Sequence, residues 1–139
     1  YNDILSLKSL ILLFDNEHDQ FSDYTSIQLL IYQNKKMQAL ENLIEFINGT
    51  SSLITDISLY QLATLSLYFG NIDISFNQLN QITNSSIYLE MSKILKAEIF
   101  DYIINDKEQA VNMYLEILNT HPNSIHYDNI RYRLREIAS

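Results

Sequence analysis

Asn34-Lys-Lys-Met-Gln-Ala-Leu40, Gly70-Asn-Ile-Asp-Ile-Ser-Phe76 and Asn105-Asp-Lys-Glu-Gln-Ala-Val111 read as one phrase written three times. Each opens on a turn residue, continues through a polar pair or triplet, and closes on a small residue followed by an apolar one. The turn residues Asn34, Gly70 and Asn105 recur at intervals of 36 and 35 residues. The small positions Ala39, Ser75 and Ala110 keep those intervals, as do the apolar positions Leu43, Leu79 and Tyr114, and Phe46, Ile82 and Ile117. Four columns in register mark an internal repeat, the feature that decides the architecture of a helical chain.

Within each copy the apolar residues recur every three or four positions, as in Leu40, Leu43, Ile44 and Ile47 or Val111, Tyr114, Leu115 and Leu118. That spacing places one apolar stripe along an α-helix. The stretches before the turns share the period: Ile27, Leu30 and Ile31; Leu59, Leu62, Ala63 and Leu67; Ile94, Ala97 and Ile104. Each repeat is therefore expected to be a helical hairpin. Ala39, Ser75 and Ala110 are expected where the two helices cross closely, because a large side chain would hold the axes apart. Asn and Gly at the turns suit a left-handed residue ending the first helix.

Composition agrees. The 139 residues are 47% hydrophobic, enough for one continuous core, and two glycines and one proline are too few for sandwiches, barrels or phosphate-binding loops. The net charge of -8 is spread along the chain, with three basic against eight acidic side chains in residues 1–70 and six against nine in residues 71–139. Such a surface repels phosphate backbones and anionic membranes, so nucleic acid is not expected as a partner. With no cysteine there is no disulfide, thiolate metal site or cysteine nucleophile. No apolar run approaches the roughly 18 residues of a membrane span, so this segment is not expected to insert. The chain opens on Tyr1 with neither a start Met nor a signal peptide, which reads as a piece of something longer.

The third repeat carries a family resemblance. Its Lys96-Ala-Glu-Ile-Phe100, Asn105-Asp-Lys-Glu-Gln-Ala110, Tyr114 and His121-Pro-Asn-Ser124 resemble the first helix, turn, second helix and terminal proline of the tetratricopeptide repeat, whose period is about 34 residues. The resemblance implies an all-α solenoid of antiparallel hairpins, a right-handed superhelix of about eight helices in one domain over residues 1–139. Residues 1–14 would be the second helix of a truncated repeat, 21–48, 53–84 and 86–121 three repeats, and 124–138 a C-terminal capping helix. In that last segment Ile130, Leu134 and Ile137 share one face, with Arg131, Arg133 and Arg135 on the others. Three repeats with a cap are especially similar to tetratricopeptide proteins of the bacterial cell envelope, which leans the localisation toward an exported or periplasmic protein, with a cytoplasmic one as the alternative.

Catalytic chemistry finds no carrier. Phosphate loops, HExxH, GxSxG and a Ser/His/Asp grouping are missing from the sequence, so no enzyme activity, cofactor or metal is expected. His18 lies in the acidic stretch Asp15-Asn16-Glu17-His18-Asp19, read as a solvated interhelical loop because the calcium-loop pattern and its glycine are missing. His121 and His126 flank a turn and read as surface residues. Glu41 and Glu45 share a hydrated helix face, and the three arginines near the C-terminus are ascribed to solvation and to the helix dipole. Asn48-Gly-Thr50 and Asn84-Ser-Ser86 match glycosylation acceptors, a short pattern that also describes ordinary turns.

The resemblance implies a concave groove lined by the first helices, which directs attention to their repeated aromatics. Tyr24 and Tyr60 are 36 residues apart, Tyr32 and Tyr68 likewise, and Tyr102 follows 34 later, with Gln28 and Thr64 as polar companions 36 apart. Tyrosine joins a large apolar face to a hydroxyl and is common at binding hot spots. These seven residues form the candidate groove for a protein or peptide partner. The alternative is that the tyrosines fill the interhelical core. Lys93 and Lys96 are the sole basic residues expected on a groove helix, too few for the family's carboxylate clamp. The expected function is thus a non-catalytic interaction scaffold. A structural spacer or self-association module, or a non-catalytic part of an enzyme, is the alternative.

Overall fold

The structure, a computed structural model, describes residues 18–48, 53–83 and 86–139. These residues form seven helices and no strands: α1 His18–Tyr32, α2 Lys36–Asn48, α3 Leu53–Tyr68, α4 Ile72–Asn80, α5 Ser86–Glu98, α6 Lys107–Thr120 and α7 Tyr127–Ala138. Between α5 and α6 the first helix of the third hairpin runs on as a π-helical stretch, Ile99–Ile104. Each helix packs on its neighbour in sequence, so the described residues form an all-α array of three hairpins and a terminal helix. The helix expected over 1–14, and Gly49, Thr50, Asn84 and Ser85 of the two glycosylation patterns, lie outside the described residues.

The turns have the conformation their residues predict. Asn34, Gly70 and Asn105 take φ of 61°, 81° and 62°, the left-handed region open to Gly and tolerated by Asn. Past the first two, the chain closes a wide bond back to the helix: Lys35 N–H donates to the Leu30 carbonyl and Asn71 N–H to that of Ser66, both at 2.8 Å. Asp106 then caps α6, its carboxylate accepting the Gln109 N–H at 3.1 Å.

The small residues sit where the helices are closest. Ala39, Ser75 and Ala110 have no exposed surface. Ser75 Oγ of α4 donates to the Ala63 carbonyl of α3 at 3.0 Å, an approach that a larger side chain would block.

No hairpin buries its apolar stripe alone. The first core joins Tyr24, Ile27, Ala39, Leu43 and Phe46 of the first hairpin to Ile54, Ile57, Leu62 and Leu65 of α3. A second joins Leu59, Ala63, Leu79 and Ile82 to Ile99. The third joins Ala97, Ala110, Tyr114 and Ile117 to Ile130 of α7, with Leu134 and Ile137 packed against it. Every core thus borrows a layer from the next unit, and α7 supplies it for the last hairpin, as a stacked array requires.

The π-helical stretch accounts for a break in the repeat interval. Ala63 and Ala97, both fully buried, are 34 residues apart, while Gly70 and Asn105 are 35 apart. The added residue falls between Ala97 and Asn105, where the helix widens to accommodate it. By register Asp101 occupies the position of Leu30 and Ser66. The closing bond has moved one residue back, from Asp106 N–H to the Phe100 carbonyl at 2.9 Å. The Asp101 carbonyl instead accepts the Lys107 ammonium at 2.6 Å.

The structure corrects other sequence expectations. His18 and Asp19 open α1 instead of closing a loop. Arg133 is no solvated charge: it lies across the π-helical stretch with its guanidinium on Asp101. The sequence pattern could not show this, because one acid and one arginine 32 residues apart carry no periodic signal.

Candidate partner-binding face

The first helices of successive hairpins are joined directly. Between α1 and α3, Gln28 Nε2 donates to Gln61 Oε1 at 2.8 Å and Gln61 Nε2 returns a bond to Gln28 Oε1 at 3.0 Å. Between α3 and α5, Tyr60 and Tyr88 meet edge to face with ring centroids 5.8 Å apart. Burial raises both phenols above the usual tyrosine range, and for Tyr60 the charge of Glu98 and the neighbouring Tyr88 add to it. α1, α3 and α5 therefore form one continuous strip whose middle is a row of half-buried amides and rings.

The tyrosine series divides along this strip. Tyr24 is 4% exposed and packs on Phe46 at 6.0 Å, so it belongs to the core and offers no open ring. Its hydroxyl is raised first by desolvation, then by Tyr88, against a hydrogen bond with Gln61. Tyr60 is half-buried, and Thr64 is exposed with its hydroxyl turned back onto the Gln61 carbonyl at 2.7 Å. Tyr32, Tyr68 and Tyr102 are 88%, 64% and 59% exposed. They stand at the C-terminal ends of the first helices, next to the turns. There the chain's own cations cover rings: Lys36 Nζ lies 4.2 Å from the Tyr68 centroid, and the Arg133 guanidinium 4.7 Å from that of Tyr102.

Sequence reasoning missed the densest polar cluster. Asp101, with no exposed surface, accepts Arg133 Nε at 2.7 Å on Oδ2, Arg133 Nη2 at 2.8 Å on Oδ1, Lys107 Nζ at 2.7 Å on Oδ1 and the Tyr114 hydroxyl at 3.0 Å on Oδ2. The Arg133 bonds, with those from Lys107 and Tyr114, hold the carboxyl well below the usual carboxylate range although desolvation opposes them. Two signals pointed here: an acid inside the apolar run Ile99-Phe100-Asp101-Tyr102-Ile103-Ile104, and the repeat interval that lengthens by one across it.

Beside this cluster a cleft of about 290 Å³ separates α5 from α7. Ile94, Glu98, Tyr102, Tyr114, His126, Asn129 and Ile130 line it. Glu98 is exposed, yet desolvation by its neighbours raises its carboxyl above the ordinary range, with His126 opposing and Asp101 reinforcing the shift.

A second polar group ties the α6–α7 turn to α5. The Ser124 hydroxyl donates to the Glu90 carboxylate, and His121 Nδ1 lies 3.9 Å from the other Glu90 oxygen. His121 and His126 are half-buried here, unlike the surface residues the sequence suggested. The carboxylate stands between serine and histidine, so the hydroxyl is bonded to the acid and not to the imidazole, the reverse of the order in a Ser-His-Asp triad. Among the described residues no three His, Asp or Glu side chains converge at metal-binding spacing, and no helix is long and apolar enough to cross a membrane. Lys96 is turned to α4, donating to Asn80 Oδ1 at 2.7 Å. Comparison of the chain with family models, curated proteins and solved structures finds no match.

Proposed function

We propose that this chain is a tetratricopeptide-like scaffold that binds a peptide or protein partner on the face of α1, α3, α5 and α7 and carries out no catalysis of its own. The observation that carries this reading is the direct joining of the first helices through Gln28–Gln61 and Tyr60–Tyr88. A strip fixed in this way presents amide, hydroxyl and aromatic groups without having to order them on binding, which lowers the entropic cost of association. The strip ends in the Glu98 cleft, where a partner side chain can enter.

Peptides selected from a random library on the intact chain provide the test. Gln28→Ala and Tyr60→Ala should each weaken the strongest selected peptide by about tenfold, a loss of about 1.4 kcal/mol. Melting curves of both variants separate lost contact from lost fold. Full affinity in both folded variants would overturn the proposal.

A further inference from the structure

Glu98 is the one carboxylate lining the cleft, and it has no hydrogen-bond or ion-pair partner among the described residues. The lysine and arginine side chains of the third hairpin and the last helix that make polar bonds make them elsewhere. Arg133 holds Asp101 and Glu136, Lys107 holds the Asp101 carboxylate and carbonyl, and Lys96 reaches Asn80. His126 is the titratable group on the opposite wall whose charge bears on Glu98. The chain as a whole carries a net charge of -8, so its field favours an incoming cation.

The walls fit a particular kind of cation. The lining joins apolar Ile94, the buried Ile130 and the ring of Tyr102 to the carboxylate of Glu98 and the amide of Asn129. A compact hydrated ion gains nothing from such walls. A long side chain with methylenes below a charged head lays its stem on the half-buried Ile94 and brings its donors to the carboxylate. We infer that the cleft between α5 and α7 receives an arginine or lysine side chain of the partner, so that the peptide recognised on this face carries a basic residue at one fixed position. This rests on the proposed binding face. Glu98 is exposed, so an incoming cation reaches its carboxylate without breaking any bond the side chain already makes.

Dodecapeptides selected on the intact chain test it, using the strongest one in two synthetic forms, with its basic residue kept or replaced by uncharged citrulline. The expected result is a basic residue recurring at one position and a citrulline form weaker by about tenfold. In Glu98→Gln, which should melt like the parent because Glu98 makes no bond to lose, the two forms should bind nearly alike. Two results would overturn the inference while sparing the binding face: peptides that bind the face with no recurring basic position, or a citrulline penalty that persists in Glu98→Gln. Peptides indifferent to both Gln28→Ala and Tyr60→Ala would remove the binding face itself, and the inference with it.

Discussion

Arg133 grips Asp101 with a two-point bond, Nε to Oδ2 at 2.7 Å and Nη2 to Oδ1 at 2.8 Å, and so fastens the terminal helix to the π-helical stretch 32 residues earlier. The apolar contacts of Ile130, Leu134 and Ile137 hold α7 in place, and this pair fixes how it is turned. Because the carboxylate is fully buried, removing its partners leaves a charge that water cannot reach.

Asp101→Asn removes the charge that Arg133 and Lys107 bond and should destabilise the chain by about 1.5–3 kcal/mol, the range for hydrogen bonds to charged groups, as read from urea unfolding. Arg133→Ala should lower the melting temperature more than Lys107→Ala, since Arg133 supplies two bonds to the carboxylate and Lys107 one. Equal and negligible effects would mean that the apolar contacts alone hold α7.

The same pair sets a pH dependence. The folded Asp101 carboxyl lies below its unfolded value of about 3.9, so its stabilisation is complete above that value and is lost as the pH falls below it. The stability difference between the parent and Asp101→Asn should stay level from about pH 7 to 5 and narrow below about pH 4. A difference that held its size at low pH would contradict the assigned charge state.

At the turns, Gly70→Ala should cost about 1–2 kcal/mol, the strain of a Cβ at a φ of 81° with no neighbouring atom to blame. Gly70→Asn should cost less, since Asn34 and Asn105 already occupy the equivalent turns at φ of 61° and 62°. Thermal melts of the two variants compare them directly.

At the close crossing of α5 and α6, Ala110→Leu should destabilise by roughly 1–3 kcal/mol through overpacking, since Ala110 has no free surface. Unchanged melting would place the crossing elsewhere.

The tyrosines should separate by depth. Tyr24→Ala removes a core ring and should cost about 3–5 kcal/mol of folding stability. Tyr68→Ala, at 64% exposure, should cost about 0.5–1 kcal/mol, the worth of its contact with Lys36. Similar losses in both would contradict the division of the series into core and surface.

The all-α array was legible because its signals are local and repeated. Asn34, Gly70 and Asn105 announce their own backbone angles, and Ala39, Ser75 and Ala110 their own burial. The depth of each tyrosine was not legible, because a 36-residue interval equates positions between repeats without saying how the neighbouring hairpin covers them. Tyr24 and Tyr60 share that interval, yet Tyr24 is sealed by Phe46 while Tyr60 meets Tyr88 at the edge. The Asp101 cluster stayed hidden for a related reason: its partners Lys107, Tyr114 and Arg133 come from α6 and α7, and only the fold brings them to the added residue of the π-helical stretch.

Hydrogen–deuterium exchange of the intact chain, with and without its strongest selected peptide, tests the binding face most directly. Bound peptide should slow exchange along α1, α3, α5 and α7, with little change in α2, α4 and α6. Protection confined to the second helices, or spread evenly over the array, would contradict a partner seated on the first-helix strip.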